Sequence, residues 1–63
     1  MTEELYSFDR YNDHKIFVIY YNNMYYGEVQ FNGTSLISNI KSNSGGGCLV
    51  KCKKWIDSNE ETP

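Results

Sequence analysis

Two cysteines are the residues whose spacing could carry chemistry in this sequence. Cys48 and Cys52 are four residues apart, and His14 is the other side chain that binds metals well. Zinc sites that can be read from sequence usually show two ligand pairs, and thioredoxin-type redox motifs place two residues between the cysteines, not three. We therefore interpret both cysteines as small buried apolar side chains, and we expect no metal and no cofactor.

A nucleophile with its base, or a phosphate-binding loop, would be another route to catalysis. His14 has no serine, cysteine or carboxylate at a spacing typical of a catalytic triad. The glycine run 45–47 precedes a predicted helix, but Cys48 and Leu49 occupy the places where a P-loop has Lys and Ser or Thr. We interpret the run as a flexible joint, and we expect no catalytic residues and no enzyme activity.

The elements that would position any site begin with three predicted strands. They are rich in β-branched and aromatic residues, as is typical of a pleated sheet. Asn22-Asn23 and Asn32-Gly33 separate them, and both pairs tolerate the positive φ of two-residue hairpin turns. The strands are predicted at residues 15–21, 24–31 and 34–41.

A helix is predicted after the strands. Residues 48–59 carry apolar or small side chains at three- and four-residue spacing, with Ser44 as the expected N-cap. A helix of about three turns cannot bury its apolar stripe alone, so we expect it to lie on the sheet. The sequence predicts a single α+β domain over 1–63: a three-stranded antiparallel β-meander with one C-terminal helix packed on one face, and frayed tails at 1–4 and 60–63.

Two-residue turns at both joins fix a register for this sheet. Val29 then opposes Ile16 on one side and Leu36 on the other. Because side chains alternate across a strand, one mostly apolar set shares the face that the helix covers. That set is Ile16, Val18, Tyr20, Tyr25, Gly27, Val29, Phe31, Leu36, Ser38 and Ile40.

The opposite face of the sheet is the predicted site. A solvated face of an antiparallel sheet is expected to be polar, yet this one carries large apolar and aromatic side chains rimmed by Lys15, Gln30 and Lys41. A patch of that kind, on the order of several hundred Å², is typical of an interaction surface. The predicted partner-binding residues are Phe17, Ile19, Tyr21, Met24, Tyr26, Glu28 and Ile37.

The N-terminal segment has two interpretations. In the first, an irregular segment packs Leu5 and Phe8 against an edge or a face of the sheet. In the second, the segment is a fourth strand that turns at residues 12–13 and covers part of the predicted site. The pairs brought together in that case are Tyr6 with Ile19 and Phe8 with Phe17.

Lysines near the C-terminus provide the alternative hypothesis. Lys41, Lys51 and Lys54, together with Lys53, form the only basic cluster of a chain whose net charge is −2. Three strands followed by a helix resemble the plant ethylene-response-factor type domain and the arm-binding domain of phage integrases, which lay the sheet in the major groove of DNA. Those sheets carry Arg and Lys where this one carries aromatic residues. A nucleic-acid binder that uses the aromatic face with Lys41, Lys51 and Lys54 is therefore the alternative function.

The chain totals and its ending complete the functional hypothesis. No apolar run is long enough to span a bilayer, and the acidic start MTEEL is unlike a signal peptide, so we expect a cytoplasmic protein. The ending KKWIDSNEE resembles small uncharacterised bacterial and phage proteins of β-β-β-α layout, which implies a fold and no activity. We predict a non-enzymatic interaction module, of the type of a phage inhibitor or modulator of a host enzyme or defence complex. Its predicted partner is another protein or a second copy of itself.

Overall fold

The computed structural model describes residues 3–59 as a four-stranded sheet followed by one helix. The strands lie in the order β1-β2-β3-β4, and each pair of neighbours is antiparallel. The predicted α+β class with an antiparallel sheet and a C-terminal helix is confirmed. The elements are β1 Glu4–Tyr11, β2 His14–Tyr21, β3 Met24–Phe31, β4 Thr34–Ser42 and α1 Gly45–Asn59.

The predicted number of strands is wrong, because the N-terminal segment forms β1. Glu4, for which the sequence predicts a frayed tail, begins that strand. The rest of the predicted tails, apart from Glu3, lies at residues 1–2 and 60–63, outside the described residues.

Three two-residue turns join the four strands. The central residues all have positive φ, which is the geometry whose twist matches that of the flanking strands. Asn and Asp tolerate this conformation better than other residues with a side chain, and glycine adopts it without strain. The values are 50° and 67° at Asn12 and Asp13, 55° and 65° at Asn22 and Asn23, and 59° and 81° at Asn32 and Gly33.

The predicted register is confirmed for the hairpin of β2 and β3, and in the hairpin of β3 and β4 it is confirmed for the pair next to the turn and wrong beyond it. Between β2 and β3, Tyr21 pairs with Met24 and Ile16 with Val29, as predicted. Between β3 and β4 the register shifts on both sides of Val29. Such shifts are β-bulges, at which one strand carries an extra residue. The observed pairs are Phe31 with Thr34, Val29 with Ile37, and Gly27 with Ile40.

These bulges change which β4 side chains face the helix. Ile37 packs against the core, although the sequence predicted it on the opposite face. Leu36 is 44% exposed and Ser38 lies on the opposite face, although both were predicted on the core face. Ile40 packs against the core as predicted and pairs with Gly27.

Helix α1 buries one stripe of side chains on the sheet. Cys48, Cys52 and Ile56 recur at four-residue spacing, so they lie on one side of the helix. The interpretation of both cysteines as buried apolar side chains is confirmed. The fully buried core consists of Ile16, Val18, Val29, Cys48, Cys52 and Ile56.

The glycine run forms the first turn of α1. The Ser44 hydroxyl accepts a hydrogen bond from the Gly47 N–H at 3.0 Å, which confirms the predicted N-cap. Gly45 is buried under the ring of Tyr6, where a Cβ atom would overlap the ring. The interpretation of this run as a flexible joint is therefore wrong, because its first glycine is required by close packing.

Candidate interaction surface

The side of the sheet that faces away from α1 is here called the open face. Its side chains alternate with those of the core, so Phe17 and Ile19 on β2 and Tyr26 on β3 project away from the helix. Within residues 3–59, no helix or strand packs over it. Its members are Glu3, Leu5, Phe8, Arg10, Lys15, Phe17, Ile19, Tyr21, Met24, Tyr26, Glu28, Gln30, Ser38 and Lys41.

Strand β1 widens the open face and does not cover it. Phe8 pairs with Phe17, as the fourth-strand interpretation predicted, and their ring centroids lie 4.9 Å apart. Leu5 pairs with Ile19. The Leu5 and Phe8 side chains are 62% and 47% exposed, so the added strand extends the apolar surface.

The predicted contact of Tyr6 with Ile19 is wrong. A register shift between Leu5 and Ser7 turns Tyr6 to the helix side of the sheet. There its ring makes an edge-to-face contact with Tyr25, at 5.0 Å between centroids. Tyr6 therefore belongs to the junction between sheet and helix.

Most of the predicted partner-binding residues lie on the open face. Ile37 does not, because the bulges in β4 bring it against the core. Leu5 and Phe8 also lie on the open face but were not among the predicted partner-binding residues, although the turn-forming pair at residues 12–13 indicated a strand there. The predicted residues found on the open face are Phe17, Ile19, Tyr21, Met24, Tyr26 and Glu28.

Two shallow hollows flank Ile19 on the open face. One has a volume of about 300 Å³ and the other about 320 Å³. Glu28 lines the first and accepts a hydrogen bond from the Gln30 side chain at 3.1 Å. Tyr21 and Tyr26 line the second. Open hollows between large side chains can receive the side chains of a protein partner.

A larger cleft lies at the end of the sheet that carries the β1–β2 and β3–β4 turns. Its volume is about 540 Å³. The lining combines both signs of charge and contains no cysteine, histidine or serine, so it offers none of these groups as a nucleophile or base. The lining residues are Arg10, Tyr11, Asn12, Asp13, Lys15, Asn32 and Gly33.

His14 is part of the packing on the helix side of the sheet. It is buried, its Nδ1 lies 2.7 Å from the carbonyl oxygen of Asn12, and its ring lies 4.8 Å from that of Phe31. Among the described residues, no group of three or more His, Cys, Asp or Glu side chains could hold a metal ion. These contacts give His14 a structural position.

The basic cluster separates into two parts. Lys51 donates a hydrogen bond to the carbonyl oxygen of Lys41 at 2.9 Å, beside β4. Lys53 lies over the ring of Tyr11, 5.7 Å from its centroid, beside β1 at the other edge of the sheet. Lys54 is exposed. Nucleic-acid binding by Lys41, Lys51 and Lys54 stays a prediction.

The two cysteine thiols are held in their protonated form. Burial is the main cause that raises the pKa of Cys52 from its ordinary value of 9.0 to about 12, with the neighbouring Cys48 adding to the effect. Burial also raises the pKa of Cys48. Because the thiolate is the reactive species, neither group is suited to nucleophilic chemistry in the folded chain.

Iodoacetamide is expected to leave both cysteines unmodified in the folded chain at about pH 8 and to modify both in denaturant. Intact mass spectrometry measures the number of adducts. Rapid labelling of the folded chain, at the rate of a free thiol, would contradict the burial of the pair.

The raised pKa also links the stability of the fold to pH. The contribution of the protonated Cys52 thiol to stability is present below pH 9.0 and is lost as the pH rises toward about 12.

Comparison with known proteins gives no match from which a function could be inferred. No protein-family model, curated protein or solved structure matches the chain. Over residues 3–59, no helix is both long enough and apolar enough to cross a membrane.

Proposed function

We propose that this chain is a non-enzymatic cytoplasmic protein-interaction module whose contact surface is the open face. One observation carries the proposal. Leu5 and Phe8 are largely exposed beside Phe17 and Ile19, on a side of the sheet over which no described element packs. Contiguous apolar surface of this kind on a small domain marks an interaction site.

The composition of the open face supports the same proposal. Tyr21 and Tyr26 combine a large contact area with a polar tip, and Met24 adapts its shape to irregular neighbours. Charged and amide side chains, such as Lys15 and Gln30, surround them. An aromatic centre with a polar rim is the usual arrangement of a protein–protein interface.

Replacing Tyr26 by Ala is expected to weaken association by about tenfold or more and to leave the fold intact. Truncation of an interface tyrosine commonly costs about 1–2 kcal/mol or more of binding free energy, which corresponds to this loss. Association is measured as the solution mass of the purified chain and as retention of proteins from its own cells.

Val50→Ala is the matched control. Val50 is an exposed apolar residue on α1, on the other side of the molecule from the open face. Its truncation is expected to leave association unchanged. Unfolding of Tyr26→Ala with unchanged association would place Tyr26 in the core and contradict the proposal, as would equal losses in both variants.

A further inference from the structure

We infer that the open face pairs with the open face of a second copy of this chain, about a twofold axis in the plane of the interface and perpendicular to the strands. The inference rests on the proposed contact role of the open face and adds the identity of the occupant. Such an axis lays β1 of one copy over β1 of the other with their directions reversed. The observation behind it is that, in the open-face rows of β1, β2 and β3, the charged and aromatic side chains meet favourable partners when the row is reversed.

Strand β1 shows this self-complementarity most clearly. Along the open face, Glu3 just before the strand is followed by Leu5, Phe8 and Arg10 on it, in the order acid, apolar, apolar, base. Reversal places Leu5 over Phe8 of the second copy. It also places Glu3 over the second copy's Arg10, and the symmetry repeats this pair at the other end. Both apolar contacts and both charge pairs are thus satisfied at once.

The next two strands follow the same rule. On β2, Phe17 meets Ile19 of the second copy, and Lys15 meets the ring of Tyr21. On β3, the hydroxyl of Tyr26 meets the carboxylate of Glu28, which can accept a hydrogen bond from it. No like charges face each other in these three rows.

The other in-plane twofold axis, parallel to the strands, gives a poorer match. It lays β2 over β3 of the second copy without reversing the position along the strands, so that Phe17 covers Glu28 of the second copy. It also lays Leu5 over Lys41 at the edges of the sheet. Apolar side chains would then cover charged groups that gain no partner, which is unfavourable. The charge pattern therefore selects the perpendicular axis.

The size of the face indicates a dimer that exchanges with monomer. Four strands of about eight residues cover roughly 19 by 26 Å, or about 500 Å² in projection. Contacts at the small end of the range of protein–protein interfaces are typical of weak or transient complexes. We therefore expect micromolar exchange with monomer, with a dissociation constant on the order of 10 µM.

Sedimentation equilibrium of four proteins tests the inference: wild type, Arg10→Glu, Glu3→Lys and the double variant. Each single change sets like charges face to face at two places in the dimer. Each is therefore expected to weaken dimerisation at least about tenfold, whereas the double variant, which rebuilds both pairs with exchanged signs, returns to within about threefold of wild type. Glu3 and Arg10 are exposed, so the fold is expected to survive these changes.

Lys54→Glu is the matched control, because it changes the net charge as Arg10→Glu does but lies on α1. It is expected to leave the dissociation constant unchanged. A monomeric wild type at millimolar concentration overturns the inference. The inference is also overturned if the double variant dimerises as weakly as the losses of the two single variants combined would predict. An equal effect of Lys54→Glu and Arg10→Glu on the dissociation constant would overturn it as well.

Failure of this inference is distinguishable from failure of the proposed function. If the chain is monomeric but Tyr26→Ala abolishes retention of a different protein, the second copy is excluded and the contact role of the open face stands. If Tyr26→Ala changes neither self-association nor retention, both proposals fail.

Discussion

Gly27→Ala is expected to lower the free energy of unfolding by about 1–3 kcal/mol, the usual cost of an extra methyl group in a tightly packed core. Gly27 is buried in the middle of β3, where α1 crosses the sheet. A Cβ atom at this position would overlap the Cys52 sulfur and would lie 3.0 Å from the Cys48 sulfur. Both sulfurs belong to fully buried side chains, which have little room to move. Urea denaturation measures the change.

Cys52→Ala provides the test of this cause. Removing the Cys52 sulfur makes room for the new methyl group, so the double variant Gly27→Ala, Cys52→Ala is expected to be more stable than the sum of the two single effects predicts. A coupling of about 1 kcal/mol or more is expected for residues in direct contact. Strict additivity would contradict the close approach of helix and sheet at Gly27.

Ile56→Ala is expected to destabilise the chain by about 2–5 kcal/mol, as large-to-small changes in a core do. Ile56 is fully buried, on the same stripe as Cys52. A helix of this length has little stability away from the sheet, so loss of packing acts directly on the folded state. Thermal and urea denaturation give the change in stability.

Val50→Ala is the control for Ile56→Ala, because both residues are β-branched, apolar and on α1. Val50 is 51% exposed, so its truncation is expected to change stability by less than about 0.5 kcal/mol. Equal effects at both positions would show that α1 does not dock by the stripe of Cys48, Cys52 and Ile56.

Much of this fold is predictable because its local signals agree with its packing. Asn22-Asn23 forms the expected turn, and the register it fixes between β2 and β3 is the observed one. Cys48, Cys52 and Ile56 share one helix stripe, so their burial follows from spacing alone. Both features can be predicted because turn chemistry and helical spacing are properties of residues close in sequence.

The register of β4 depends on packing that the turn does not determine. Ile37 and Ile40 both contact the core, although they are three residues apart and an unbroken strand would place them on opposite faces. The two shifts in register resolve this conflict, leave Leu36 44% exposed and move Ser38 to the open face. The odd spacing of the two isoleucines was the available signal.

The start of α1 and the direction of the Tyr6 side chain also depend on tertiary contacts that the sequence alone does not predict. Glycines are poor helix formers, so the start of α1 at Gly45 opposes the local preference. The ring of Tyr6 explains why glycine stands at position 45, because that ring occupies the space that a side chain there would need. The direction of Tyr6 depends in turn on the shift next to Leu5, which strand alternation alone does not predict. At the β1 edge, the fourth-strand interpretation therefore predicted Phe8 beside Phe17 correctly but placed Tyr6, and not Leu5, beside Ile19.

Photo-crosslinking tests the contact role of the open face most directly. A photoreactive phenylalanine analogue replaces Phe8 in one protein and Val50 in another, two positions of similar exposure on opposite sides of the molecule. In the chain's own cells, we predict protein adducts from position 8 and few or none from position 50. An adduct of twice the chain's mass identifies a second copy, and a different mass identifies another protein. Adducts from position 50 with none from position 8 would contradict the assignment of the open face as the contact surface.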